Sequence, residues 1–258
     1  MLVSLLATIV TAQNAGQTPQ ESFPLVNVSD LAEYIGAPRR LFVNTQIAGE
    51  PVIGNSEAKL VLIEFSDFNC TSCARFHSSS LPELISNYVD TGKMRFVYRD
   101  FVGVGGSMSM NASLAGNCLH DQIGTANYFP LINDFYATSG PKNMTKLLEL
   151  ANQKSLEYMA DDLLLCIEDK VFSPEVYDDI NAAYAIGIRG TPAFVLGYQA
   201  SDGTVDGLLL LGAAPYERFA ALIDQFILAK DVLGFTTDVP KYVEQNQNSN
   251  TEQLSSNN

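Results

Sequence analysis

Residues 60–88 read LVLIEFSDFNCTSCARFHSSSLPELISNY, and they predict a strand, then a junction with two cysteines, then a helix. The apolar, partly β-branched run at 60–65 is typical of a buried strand. Five apolar residues then recur at helical spacing, namely Phe76, Leu81, Leu84, Ile85 and Tyr88. Cys70 and Cys73 are therefore predicted to lie at the N-terminus of a helix.

Two cysteines in this position indicate dithiol redox chemistry. The unpaired backbone N–H groups and the positive end of the helix dipole stabilise an anion, which lowers the pKa of the first thiol. Cys70 is therefore predicted to be the nucleophile. Cys73, one turn further along the helix, is predicted to be the resolving thiol, which attacks a mixed disulfide at Cys70 and releases the substrate.

Three other uses of a Cys-x-x-Cys pair compete with redox chemistry. A zinc site needs two further ligands, for which the chain offers Cys118, His120, Cys166 and His77. Covalent haem attachment requires a histidine where the chain has Ala74. A purely structural disulfide would close too short a loop to stabilise the fold much. We therefore predict a redox pair with no metal and no organic cofactor.

A second motif, GIRGTPAFVLG at 187–197, joins the end of a helical pattern to another apolar strand. Pro192 would lie at the start of that strand, where a sheet tolerates a residue that has no backbone N–H to donate. A cis peptide is the minority form of any X-Pro bond. The residues alone therefore do not predict whether the bond between Thr191 and Pro192 is cis.

Three segments together resemble the DsbA-like thiol:disulfide oxidoreductases of the thioredoxin superfamily, of DsbA/BdbD type. They are VLIEFSDFNCTSCARFH at 61–77, TGKMRFVYRDF at 91–101 and GIRGTPAFVLG at 187–197. The resemblance extends from about residue 49 to about residue 228 and implies an α/β, thioredoxin-like fold with an inserted helical subdomain. It also implies that Pro192 is cis and lies against the cysteines, and that the backbone of Thr191 pairs with bound substrate.

Glu64 stands six residues before Cys70 and matches an acidic residue that the family keeps beneath its active site. A carboxyl group in that place could move protons to and from Cys73. The alternative is an ordinary strand residue that faces solvent, because its two neighbours should face the other side of the strand. His77, about one turn beyond Cys73, is expected to be a solvated helix histidine.

The chain departs from thioredoxin itself beside the cysteines. Asn69 replaces the tryptophan that precedes the first cysteine there, and the chain contains no Trp. This difference argues against a cytosolic, thioredoxin-type reductase. Between the cysteines, Thr71 and Ser72 match neither the strongly oxidising nor the reducing members of the superfamily, so the reduction potential of the pair stays open.

The hydrophobic pattern predicts how the chain is divided. Residues 41–107 and 185–232 are assigned to the thioredoxin-like domain, and residues 108–184 to the inserted helical subdomain, which would cover one side of the redox site. Helical spacing is found at 113–120, 126–137, 145–153, 156–169 and 174–186. A β-hairpin is predicted from 194–196 and 208–211, with a turn at 201–203, and a last helix at 216–229.

Cys118 and Cys166 both lie in the predicted insert. Four cysteines allow three connectivities, and the spacing favours Cys70 with Cys73 and Cys118 with Cys166. The longer loop of the second bridge would stabilise the protein by about 3 to 4 kcal/mol. Two buried free thiols are the alternative.

The ends of the chain carry the signals of location. Residues 1–12 are predicted to be an export signal or an anchor, although the stretch is short for a membrane span and the first basic residue is Arg39. A start site further upstream, an unusual signal and a buried helix are the alternatives. Residues 13–40 are assigned to a linker, and residues 236–258, rich in Asn, Gln and Ser, to a disordered tail.

The formal net charge of −14 over 258 residues makes nucleic acid an unsuitable partner. The loop at 103–107, GVGGS, lacks the lysine and the spacing of a phosphate-binding loop and is predicted to be a flexible connection.

The sequence and the resemblance together predict an extracytoplasmic dithiol oxidase, which introduces disulfides into reduced or unfolded exported proteins by exchange at Cys70 and Cys73. The resemblance also implies a membrane-bound reoxidising partner of DsbB or VKOR type. The alternatives are a disulfide isomerase or reductase, and a non-redox chaperone that binds peptides in a thioredoxin fold.

Overall fold

The computed structural model describes residues 31–33, 36–47 and 49–233, and within them a mixed sheet of six strands forms the centre of the fold. The strands are β1 (Phe42–Gln46), β2 (Val52–Ile53), β3 (Leu60–Ser66), β4 (Arg95–Asp100), β5 (Ala193–Gln199) and β6 (Thr204–Leu211). Their order across the sheet is β1-β6-β5-β3-β4-β2. Only the β3–β4 pair is parallel, and the other neighbours are antiparallel.

Strand β3 is central and every one of its residues is buried. Alternate side chains supply two separate cores, since Leu62 packs into the main core whereas Ile63 and Phe65 pack into a smaller core on the other face. A strand covered on both faces reads as a continuous apolar run, and this is the pattern that the sequence shows at 60–65.

Residues 31–33 are helical, a 3-10 helix covers Arg39–Leu41, and seven α-helices with described bounds lie around the sheet. They are α1 (Thr71–Leu84), α2 (Ser107–Ile123), α3 (Thr125–Ala137), α4 (Met144–Gln153), α5 (Ala160–Glu168), α6 (Ser173–Ala185) and α7 (Tyr216–Leu233). A single π-helical turn, Ile85–Val89, continues α1. Helix α1 packs against α3 and α7, while α6 packs on β4 from the other side.

The predicted fold class, a thioredoxin-like α/β fold with a helical insert, is confirmed. Helices α2 to α6 follow one another between β4 and β5. The helix predicted at 156–169 is shorter in the structure, where α5 begins only at Ala160. Ser155 has a positive φ of 53°, and the N–H of Leu156 closes the preceding helix on the carbonyl of Ala151.

The hairpin predicted near the end of the domain is present and longer than predicted. Strands β5 and β6 pair from Ala193 with Leu211 to Gln199 with Val205. Gly197 and Gly207 face each other in this pairing, and a Cβ on Gly197 would lie 2.1 Å from the carbonyl oxygen of Asp206. The two strands can therefore approach this closely only with glycine at that position.

Strand β1 is an element that no sequence pattern predicted. It pairs antiparallel with β6 and forms one edge of the sheet. Just before it, Leu31 and Ala32 are buried against the main core, within the part of the predicted linker that the structure describes. The predicted export signal or anchor at 1–12 and the predicted tail at 236–258 lie outside the described residues. Within residues 31–33, 36–47 and 49–233, no helix is long and apolar enough to cross a membrane.

Candidate active site

The two cysteines lie at the start of α1, as their position after β3 predicts. Cys70 has extended backbone angles, φ −81° and ψ 117°, and the helix begins at the next residue. A turn brings it there, since the N–H of Cys70 donates to the carbonyl of Asp67 over 2.9 Å. The Cys70 residue is 7% exposed and Cys73 is completely buried, and both are free thiols in this structure.

The surroundings of Cys70 favour its thiolate. A hydrogen bond from the Cys73 thiol lowers the pKa of Cys70 to about 6, and the backbone N–H groups of Ser72 and Cys73 act in the same direction. Partial burial opposes this shift without cancelling it. The N–H groups of Ser72 and Cys73 have no partner within the helix, as is usual at a helix N-terminus. This is why a cysteine at that position in the sequence is predicted to be activated.

Cys73 is shifted the other way. Burial raises its pKa well above the ordinary thiol value, and the hydrogen bond to Cys70 and the negative charge of Glu64 raise it further. At neutral pH the reduced pair therefore carries one thiolate, at Cys70, and one proton, at Cys73. This division suits a pair in which the outer sulfur attacks and the inner sulfur holds a proton until it is needed.

The Thr191–Pro192 peptide bond is cis and lies beside the cysteines. In its protonated form the Cys70 thiol donates to the carbonyl oxygen of Thr191, with 3.3 Å between the sulfur and the oxygen. The carbonyl of Pro192 accepts from the N–H of Gly212, which ties this turn to the end of β6. The residues alone left the isomer open, whereas the resemblance implied cis.

A buried carboxylate, Asp67, holds the loop next to Cys70. It accepts from the N–H of Asn69 at 2.8 Å, and it also accepts from three consecutive N–H groups of the neighbouring loop, those of Gly103, Val104 and Gly105, at 2.7–3.2 Å. The hydroxyl of Ser109 donates to it as well. The prediction that residues 103–107 form a flexible connection is therefore wrong, because Asp67 fixes the backbone of the loop.

Glu64 is completely buried beneath the cysteines. Its Oε1 accepts from the Ser66 hydroxyl at 2.7 Å, and its Oε2 lies 3.0 Å from Nε2 of His77. The alternative of a solvent-facing strand residue is therefore wrong. The hydrogen bonds continue from Ser66 to the hydroxyl of Tyr136 at 2.9 Å and from there to the hydroxyl of Tyr98 at 3.1 Å.

His77 is buried, so the expectation of a solvated helix histidine is wrong. Its Nδ1 lies 2.6 Å from Oδ1 of Asn133, and its ring stacks on Tyr136 with 4.0 Å between ring centres. Both contacts come from α3, which covers this face of α1. Helical spacing shows that Asn133 and Tyr136 share a face of α3, but it does not show which helix that face meets.

The other two cysteines form a disulfide, Cys118 with Cys166, which joins α2 to α5 with 6.1 Å between the Cα atoms. In the part of the chain that the structure describes, no three His, Cys, Asp or Glu residues are grouped as a metal site would require.

A family model described as thioredoxin matches residues 46–225. The chain belongs to the thioredoxin family. Two named proteins are similar to this chain in sequence. It is 30% identical over 168 residues to a Rickettsia bellii protein named "Putative protein-disulfide oxidoreductase", and the match covers 61% of each chain. The match therefore spans less than two thirds of that relative's length. Disulfide bond formation protein D of Bacillus subtilis is 33% identical over 69 residues, which cover 26% of this chain and 31% of that protein.

Two solved structures have a similar fold over most of this chain. BdbD from Bacillus subtilis has a TM-score of 0.62 at 20% identity, over 72% of this chain and 98% of BdbD. Wolbachia pipientis alpha-DsbA1 has a TM-score of 0.61 at 22% identity, over 72% of this chain and 94% of that one. The fold is therefore DsbA-like.

Proposed function

We propose that this chain is a thiol:disulfide oxidoreductase, specifically a dithiol oxidase that introduces disulfides into exported proteins through Cys70 and Cys73. The observation that carries the proposal is the placement of the two thiols, with Cys70 at a helix N-terminus against Thr191 and Cys73 completely buried behind it, which shifts their pKa values in opposite directions. A stabilised Cys70 thiolate favours the reduced pair, and a pair whose reduced form is favoured is an oxidant when it is a disulfide. The names of the relatives support the same class of activity.

The reaction begins with the disulfide form. A substrate thiolate attacks Sγ of Cys70, the bond between Cys70 and Cys73 breaks, and Cys73 leaves with the electron pair and takes a proton from Glu64. A second substrate thiolate then attacks the substrate sulfur of the mixed disulfide, and Cys70 leaves as a stable thiolate. Two electrons pass from the substrate to the pair, and the substrate gains one disulfide. Thr191 offers its backbone to the substrate, and Pro192 holds that turn against the cysteines.

The proposed setting is outside the cytoplasm. Disulfides such as Cys118–Cys166 persist in oxidising compartments and are rare in the cytosol, so this bond supports an exported protein. Residues 1–12 would serve as the signal or anchor. Residues 41–107 with 185–232 would form the thioredoxin-like domain, and residues 108–184 the inserted subdomain that covers one side of the site. A membrane-bound partner of DsbB or VKOR type would take the two electrons from the reduced pair.

The test is the reduction potential of the Cys70/Cys73 pair in glutathione buffers. The redox state is read from the mass gained on thiol alkylation, and the double variant Cys118→Ala/Cys166→Ala leaves a single titrating pair. A potential near about −120 mV supports the oxidase, whereas one near about −270 mV makes the protein a reductase or isomerase.

Two variants separate redox catalysis from peptide binding. Cys73→Ala should accumulate mixed disulfides at Cys70, because the resolving thiol is gone. Cys70→Ser should abolish oxidation of a reduced substrate protein. If Cys70→Ser keeps full activity in suppressing aggregation and no oxidation is measurable in the unaltered protein, the chain is a chaperone rather than an oxidase.

A further inference from the structure

Behind the cysteines, buried polar groups lead from Glu64 to an open cavity at the surface. Glu64 is completely buried and His77 is 4% exposed. Asn133, which contacts the far edge of the His77 ring, is half-buried and lines a cavity of about 630 Å³ together with Gly54 and Phe129. In the described part of the chain, the lining of this cavity includes none of the residues that hydrogen-bond with Cys70.

The hydrogen bonds determine how many protons the pair of Glu64 and His77 holds. Oδ1 of Asn133 is an acceptor, so Nδ1 of His77 carries a hydrogen. Nε2 of His77 and Oε2 of Glu64 lie 3.0 Å apart, and a contact of that length between two such atoms needs one hydrogen between them. The pair therefore shares a single proton, which is held either on the carboxyl group or on the ring.

The titratable groups facing this pair are Cys73 on α1, Tyr136 on α3 and Tyr98 on β4, and Cys70 at the N-cap of α1 is hydrogen-bonded to Cys73. Burial raises the pKa of both tyrosines well above the ordinary value, so they stay neutral and do not accept a proton from Cys73. Ser66 links the two groups, because its hydroxyl contacts Oε1 of Glu64 at 2.7 Å and its side chain also hydrogen-bonds with Cys73. Glu64 with His77 is thus the proton acceptor that Cys73 faces.

We infer that His77, oriented by Asn133, relays the proton that Glu64 exchanges with Cys73 and passes it to the cavity that Asn133 lines. This inference rests on the proposed function. When the shared proton is on Nε2 of His77, the Glu64 carboxylate can accept the proton of Cys73. The Cys73 thiolate then attacks Sγ of Cys70 in a mixed disulfide, and the leaving sulfur takes the electron pair.

After this step the pair holds two protons, one more than before. The surplus proton leaves at the Nδ1 edge of His77, which contacts Asn133, and Asn133 in turn lines the cavity. The route stays open to water while a client protein covers Cys70, and the reverse movement supplies the proton that Cys73 needs when the disulfide is reduced.

The test uses the reduced protein and oxidised glutathione, and it follows two phases. In the first phase Cys70 attacks and releases one glutathione, and in the second Cys73 resolves the mixed disulfide and releases the other. In the unaltered protein we expect the second phase to depend weakly on pH. In His77→Phe it should be slower by about 100-fold at neutral pH and should recover as pH rises, because general-base help is lost. The first phase should be unchanged.

His77→Gln distinguishes proton transfer from packing. Glutamine can donate a hydrogen bond to Glu64 but does not titrate, so a relay predicts that this variant is as slow as His77→Phe. If His77→Gln restores the rate and the pH profile, the role of His77 is only structural and the inference is overturned. Asn133→Leu removes the orienting acceptor and should also displace the pH profile. The matched control on the same helix is Asp134→Asn, whose side chain pairs with Lys154, and it should keep the profile of the unaltered protein.

Failure of the inference differs from failure of the proposed function. If the unaltered protein shows no first phase, Cys70 is not the nucleophile and the proposed function fails. If both phases are present and every His77 and Asn133 variant keeps the original second-phase pH profile, only the relay is excluded. Thermal unfolding of each variant separates loss of folding from loss of proton transfer.

Discussion

At the scale of single residues, Cys70 and Cys73 show how position within one helical turn separates two identical side chains. Cys70 is at the N-cap, where backbone donors and the Cys73 thiol stabilise its anion. Cys73 is inside the first turn and completely buried, so its anion is disfavoured. In the reduced site the negative charge therefore lies on Cys70 and the proton on Cys73.

The first prediction concerns the stability of the reduced protein as a function of pH. The pKa of Cys70 is about 6 in the folded state against an ordinary thiol value of 9.0, so the unfolded chain binds more protons between these two pH values. The stability that Cys70 contributes is complete above pH 9 and is lost as pH falls to 6. Urea unfolding of the reduced protein, compared with Cys70→Ser, should show this dependence only with Cys70 present. A thiolate absorbance that appears only near pH 9 would contradict it.

The second prediction concerns Asp67, which accepts hydrogen bonds from several buried donors. Asp67→Asn leaves one oxygen and adds an NH₂ group facing N–H donors, so it should lower the free energy of unfolding by about 1–3 kcal/mol. The loop at Gly103–Gly105 should also become open to proteolysis. The exposed Asp178→Asn should stay within about 0.5 kcal/mol of the unaltered protein. Equal stability of the two variants would show that the Asp67 hydrogen bonds are not what holds the loop.

At the scale of elements, helix α5 depends on the disulfide for its anchoring. It is a short helix in which Leu163 is buried, whereas Leu164 and Leu165 are exposed. Cys166 supplies a second attachment through its bond to Cys118 in α2. An element with so small a buried face gains little from packing alone, so a covalent link has a large share in fixing it.

The third prediction is the effect of removing that link. The two cysteines are 48 residues apart, for which the chain-entropy treatment gives a stabilisation of about 4 kcal/mol. The double variant Cys118→Ala/Cys166→Ala should unfold at a correspondingly lower urea concentration, and the amide protons of α5 should exchange faster than those of α1. The titration of Cys70 should not change, because the disulfide does not contact it. Equal acceleration of exchange in α5 and α1 would mean that the bond acts only through the unfolded chain and gives α5 no anchoring of its own.

At the scale of the whole molecule, a buried ionic cluster joins β1, β4, α6 and the segment before β2. Arg99 contacts Asp179 at 2.6 Å and Glu50 at 3.1 Å, and it donates to the hydroxyl of Thr45. Asp179 also accepts from the N–H of Asp100. One guanidinium thus faces two carboxyl groups in a protein with a net charge of −14, and one of the two is favoured in its protonated form.

The fourth prediction follows from this cluster. Burial, with the charge of Asp179 second, raises the pKa of Glu50 from 4.5 to about 10. The stability that Glu50 contributes is complete below pH 4.5 and is lost as pH rises through 10, because the folded state binds the extra proton. The free energy of unfolding of Glu50→Gln should therefore fall less between pH 4.5 and pH 10 than that of the unaltered protein. Unfolding of the disulfide form avoids titration of Cys70, and the exposed Glu83→Gln is the control. A Glu50→Gln curve parallel to that of the unaltered protein would contradict the shift.

The sequence by itself determined the features that depend on neighbouring residues. The run at 60–65, the cysteines after it and the helical spacing beyond them predict a strand, an N-terminal dithiol and a helix, because periodicity and helix-end chemistry act over a few residues. The hairpin of β5 and β6 and most helices of the insert were predictable for the same reason. The resemblance added the fold and the cis proline.

Only the tertiary structure decided which distant groups meet. His77 was expected to be solvated, yet Asn133 and Tyr136 of α3 bury it against Glu64. Likewise, β1 is a strand because β6 pairs with it, and Arg99 is paired with carboxyl groups from other elements. Side-chain spacing shows which residues share a face, but the partner of that face is set by how helices and strands pack, which no local pattern records.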